Sequence, residues 1–169
     1  MMLKSGFRRF VIAFTAVAAT VLPAAAAEKA NGLYLDPPAG WQRTHENDNV
    51  VYRTAECTLS VLPARELGDQ KPVPFFLQTW SSVKGALPII SEQPASPMRT
   101  ADGSFARYAS VVVRLDSEER IIAVFMASNE RQAHFIVFTG PQPSCDRHRA
   151  VVERALQSVS LDPKAPQRL

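Results

Sequence analysis

The chain has 169 residues, with 19 Lys plus Arg, 16 Asp plus Glu, two Cys and 13 Pro, and its sequence pI is near 9.1. Three of the basic residues, Lys4, Arg8 and Arg9, lie in residues 1–27, which hold no acid, so 16 bases face 16 acids in the rest. That balance argues against a nucleic-acid binder, which needs surplus Lys and Arg to displace counterions, and against a polybasic membrane-surface protein.

Residues 1–27 run from the positive front through an apolar stretch, Phe10 to Leu22, broken only by Thr15 and Thr20. Pro23 and Ala24 to Ala27 follow, the order of a secretory signal peptide with a small-residue cleavage site. This predicts a cut after Ala27 and a mature chain beginning at Glu28, exported to a periplasm or beyond. The apolar run, about 13 residues, falls short of the roughly 20 that span a bilayer. Arg8-Arg9 leaves a twin-arginine route open. No Cys ends the run to take a lipid, and no later stretch is apolar enough to cross a membrane.

The rest reads as one α+β domain over 28–162 with a loose tail at 163–169. Leu33 to Leu35 is a short strand stopped by Asp36-Pro37-Pro38, because proline gives no ladder donor. His45 to Asn49 is a polar connection, Val50 to Arg53 a second strand, and Cys57 to Leu62 alternates as a strand with one buried face. Phe76, Trp80, Val83 and Leu87 then recur at spacings of four, three and four. Such spacing predicts an amphipathic helix over 74–86, stopped by Gly85 and Pro88. Ile89 to Pro97 is a further strand or an extended crossing. Phe105 to Leu115, Arg120 to Ala127 and Ala133 to Thr139 form an antiparallel meander, joined by Asp116-Ser117-Glu118-Glu119 and by Ser128 to Arg131. A last helix over 145–158, capped by Ser144 or Asp146, buries Val151, Val152 and Ala155, with Val159 continuing the stripe. Strands, helix, strands, helix give an antiparallel sheet with two helices packed on it.

The strand ending in Pro37-Pro38-Ala39-Gly40-Trp41, the helix around Phe76 to Leu87, the meander, and the closing Ser158-Val159-Ser160-Leu161 together resemble a PsbP-like domain. That is the fold of the extrinsic oxygen-evolving subunit of photosystem II, shared with small bacterial envelope proteins. The resemblance implies a role in binding or assembly without catalysis and carries over no ligand residues. Nothing in the sequence supports a photosynthetic role.

Cys57 and Cys145 permit one intramolecular disulfide in an oxidising compartment; two buried thiols or a reactive thiol are the alternatives, and no CxxC spacing is present. His45, Glu46 and Asp48 form the densest polar cluster, either a solvated turn or a metal-binding nitrogen with two carboxylates. His134 lies in a strand beside Phe135, and His148 follows Asp146 at the start of the last helix. Glu118-Glu119 is a carboxylate pair that, as sequence neighbours, seldom converges on a substrate. Trp41 and Trp80 fit as core anchors. No Gly-x-Ser-x-Gly elbow, P-loop or GxGxxG is present, so no catalytic residue, cofactor or metal is assigned. The leading expectation is an exported binding or assembly protein with a protein or envelope partner. A small hydrolase or metal-dependent enzyme using His134 or His148 with a carboxylate is the alternative, and a carrier of a small apolar ligand between helix and sheet is the third.

Overall fold

The structure, a computed structural model, describes residues 27–162; the expected signal segment, except Ala27, and the tail at 163–169 lie outside them. The strands are β1 (Glu28–Ala30), β2 (Leu33–Leu35), β3 (Gln42–Glu46), β4 (Asn49–Arg53), β5 (Thr58–Val61), β6 (Arg65–Glu66), β7 (Ile89–Arg99), β8 (Phe105–Leu115), β9 (Glu118–Ser128) and β10 (Gln132–Pro141). The helices are α1 (Pro72–Lys84) and α2 (Gln142–Gln157). β1 and β2 make a separate hairpin. The main sheet runs β3-β4-β5-β10-β9-β8-β7, with short β6 also pairing with β10, and every pairing is antiparallel. This is the expected α+β architecture.

Three two-residue turns set its register. Asn31-Gly32, Asn47-Asp48 and Asp116-Ser117 all hold positive φ at both central positions, the backbone that matches the twist of a tight hairpin and that Asn, Asp and Gly tolerate. In the last of these, Glu118 and Glu119 belong to β9 instead of the connection, because a two-residue turn needs no more chain.

Both faces of the sheet carry apolar side chains, so β9 is buried at nearly every position from Ile121 to Ser128 instead of alternating. Val50, Tyr52, Leu59, Val61, Phe125, Ile136 and Phe138 pack under α2 and the β1–β2 hairpin. On the opposite face Ala109, Val111, Val113, Val124, Met126 and Phe135 meet Phe76 and Trp80 of α1. Trp80 is thus the core anchor expected of it.

Several boundaries differ from the sequence reading. β1, β3 and β6 are additional strands. α1 starts at Pro72, two residues early, because proline suits the first helical turn, where its missing N–H is no loss. α2 starts at Gln142, and its N-cap is Pro141 with no side-chain cap bond; neither Ser144 nor Asp146 caps it. β10 runs straight into this helix, so Ser144 is already inside it, buried, and its hydroxyl accepts a bond from Arg147. No helix among the described residues is long and apolar enough to cross a membrane.

Candidate functional site

The two cysteines meet. Cys57 precedes β5 and Cys145 lies in the first turn of α2, yet their sulfurs are 3.0 Å apart in a thiol hydrogen-bond contact, both buried. Burial pushes the Cys145 thiol well above its ordinary range, and the neighbouring Cys57 sulfur adds to the shift. Gly140 makes the approach possible: a Cβ there would lie 2.7 Å from the Cys145 sulfur and 2.7 Å from the Glu56 carbonyl oxygen. An exposed Arg147–Glu56 ion pair bridges the same two segments at the surface.

The other residues singled out by sequence are dispersed. His134 is buried on β10, and its Nδ1 donates to the Asn31 carbonyl at 3.2 Å, a partner that can only accept. Burial lowers its pKa, with that hydrogen bond acting the other way. Its ring sits under the β1–β2 turn, where Asn31 Nδ2 also donates to the carbonyls of Val61 and Asp48. His148 packs edge-on against the Trp41 ring at 5.4 Å, and Trp41 also contacts Phe138. A histidine hydrolase needs a carboxylate at hydrogen-bond reach; His134 faces a carbonyl and His148 an indole. His45 and Glu46 are neighbours on β3 and point to opposite faces of the strand. Glu46 pairs with Arg53 at 2.6 Å, while Asp48 sits in the β3–β4 turn. Glu118 and Glu119 pair with Arg120 and Arg114. Among the described residues no group of three or more His, Cys, Asp or Glu is gathered to hold a metal ion.

Asp102, between β7 and β8, is a junction that the sequence did not reveal. One carboxylate oxygen accepts from Thr100 Oγ1 and the Ser104 N–H, the other from Ser160 Oγ and the N–H groups of Leu161 and Asp162. Desolvation alone would raise its pKa; these donors outweigh it and hold the carboxyl well below the usual range.

A concave surface lies beside α1. Trp80 Nε1 and Lys84 Nζ both donate to Glu92 of β7, at 3.2 and 2.6 Å, tethering the helix over the β7–β9 side of the sheet. Toward β10 and β5 the sheet face stays open, as two adjoining cavities. One, of about 450 Å³, has Val124, Phe135 and Val137 as floor, Thr79 and Val83 as wall, and Leu62, Pro63 and Ala64 as lip. The other, of about 650 Å³, has a mixed lining in which Glu66, Gln70, Gln78 and Ser82 stand beside Phe75. Arg65, Thr79 and Val83 line both. Both volumes lie in the range of small-molecule sites, roughly 300–1,000 Å³.

No protein-family model matches the chain, and no curated protein does. Solved structures do. LpqN of Mycobacterium tuberculosis, described as involved in cell envelope biogenesis, is 14% identical with a TM-score of 0.61, the match covering 76% of this chain and 82% of that one. Cyanobacterial PsbP from Synechocystis sp. PCC 6803 is 14% identical with a TM-score of 0.57, covering 87% and 98%. The Saccharomyces cerevisiae Ran-binding protein Mog1p is 11% identical with a TM-score of 0.54, covering 77% and 90%. At these identities the likeness is one of fold. The chain has the PsbP-like fold that its element order led one to expect.

Proposed function

We propose that the chain is an exported binding or assembly protein of the bacterial-type cell envelope that works without catalysis. The observation that carries this reading is the fold, since the same architecture serves a protein described as acting in cell envelope biogenesis and one described as Ran-binding. Fold alone does not transfer function. The reading gains support from the features of residues 1–27, from the charge balance of the remainder, and from a concave surface on which a partner could seat. In this reading residues 1–27 are removed on export, 28–162 form the working domain and 163–169 trail from it. The oxidising compartment then joins Cys57 to Cys145.

The test is to express the full chain in a bacterium with a photo-crosslinking residue at exposed Gln78 beside the groove or, as a control, at exposed Arg43 on β3. The expected result is a product in the periplasm or medium whose mass begins at Glu28, with a discrete crosslinked species from position 78 only. Retention in the cytoplasm with residues 1–27 intact, or identical crosslinking from both positions, would overturn the proposal. A second reading, a carrier of a small apolar ligand, is favoured specifically by the groove between α1 and the open sheet face.

A further inference from the structure

We infer that the groove beside α1 binds a single-chain amphiphile, an acyl chain joined directly to an anionic group, with Arg65 receiving the anion; this rests on the carrier reading. Three observations carry it. The first is the division of the lining. The smaller cavity is walled by Leu62, Val83, Val124, Phe135 and Val137, whereas the larger presents the amides of Gln70 and Gln78 and the Ser82 hydroxyl. A wholly apolar ligand would leave these amides and this hydroxyl of the mixed compartment without partners, and a polar one would waste the apolar compartment; a molecule with one end of each kind suits both.

The second is shape. The helical wall of the groove runs from Phe75 to Val83, nine residues and eight rises of 1.5 Å, or about 12 Å. It is open along its length, which suits an extended chain better than a compact ring system.

The third is the position of charge. Arg65 lines both compartments and makes no ion pair among the described residues, so no carboxylate of these residues occupies its guanidinium. Glu66 lines only the larger compartment. An anion is therefore favoured at the junction and disfavoured further along, which places it next to the chain instead of at the far end of a long headgroup. A guanidinium fork takes a carboxylate or phosphate in paired, charge-assisted hydrogen bonds.

The experiment titrates the full exported protein with dodecanoate and, separately, with uncharged 1-monododecanoylglycerol, following one-site binding by NMR. Two variants are compared with the wild type: Arg65→Ala, at an exposed position, and Val83→Phe, which fills the groove. Both variants are first checked by thermal melting. The expected result is saturable binding of dodecanoate, weakened about tenfold by R65A, with the uncharged lipid unaffected by R65A, and both lipids excluded by V83F. If both lipids bind equally, V83F excludes both and R65A changes neither, the anion assignment is overturned while the carrier reading stands. If neither lipid binds, or V83F leaves binding unchanged, both are overturned.

Discussion

Gly140 has no room for a side chain, and the reason is the sulfur pair it faces. A methyl group there would press on the Cys145 sulfur and on the backbone carbonyl of Glu56, and the backbone is the less able to yield. Overpacking of this kind costs about 1–3 kcal/mol, so Gly140→Ala should lower stability by about 2 kcal/mol in urea unfolding. An unchanged midpoint would mean that the β10–α2 joint is soft. His134 makes a different demand, since burial holds its imidazole below the ordinary value of 6.5. The unfolded chain therefore takes up its proton at higher pH than the folded one. The stability this residue contributes is intact above about pH 6.5 and is lost as pH falls through the lower folded value. Melting temperatures should drop between about pH 7.5 and pH 5.5, and His134→Gln should flatten that drop. A Gln variant whose melting temperature falls in parallel with the wild type would assign the titration to other groups.

At the level of elements, Asp102 ties the β7–β8 turn to the segment that follows α2. Each of its two oxygens accepts at least two donors, which no neutral isostere can do, because an amide presents N–H groups to half of them. Asp102→Asn should therefore cost about 1–2 kcal/mol, the order of a buried hydrogen-bond mismatch, and should raise the hydrogen-exchange rate of the Leu161 amide. The carboxyl is depressed below its ordinary value of 3.8, so the contribution of the wild-type residue persists above that pH and fades below it. None of this was legible in the sequence: Thr100-Ala101-Asp102-Gly103 reads as any polar turn, and three of the donors lie 58 to 60 positions away. The meander and α1 were legible, because β-branched runs and a four-three-four apolar spacing are local signals. β1, β3 and β6 were not, since Glu28–Ala30 opens on two charged residues, and neither Gln42–Glu46 nor Arg65–Glu66 carries a buried face to mark it. α2 was read as starting late because Ser144 and Asp146 look like caps, whereas the chain enters the helix through Pro141 and Pro143, where a missing N–H is no loss. The groove was expected only as a kind of site. Its place depends on the tether of Trp80 and Lys84 to Glu92, which shifts α1 off the β10–β5 half of the sheet; a spacing rule gives a helix its face but not its lateral position.

At the level of the whole molecule, the sulfurs of Cys57 and Cys145 join the middle of the sheet to the start of the last helix across 88 positions of chain. In the exported state both thiols would lose a proton and an electron each to the oxidising machinery of the compartment and form one bond. Closing so long a loop removes unfolded-state entropy worth roughly 4–5 kcal/mol on the loop-closure model, a large share of a domain's total stability of about 5–15 kcal/mol. The bond would lie under α2, on the sheet face opposite the groove, so it should stabilise the fold without touching the lipid site. Denatured protein recovered from the exported fraction should therefore show no thiol reactive to a titrating reagent. Reduction, or the Cys57→Ser/Cys145→Ser double variant, should lower the unfolding free energy by up to about 4 kcal/mol. Dodecanoate affinity measured well below the melting temperature should stay within about twofold, because additivity holds for sites that share no partners. Two reactive thiols in the exported, denatured protein would show that the pair stays reduced. A large loss of affinity on reduction would instead show that the two faces of the sheet are coupled, and that the cysteines govern the groove as well as the stability of the fold.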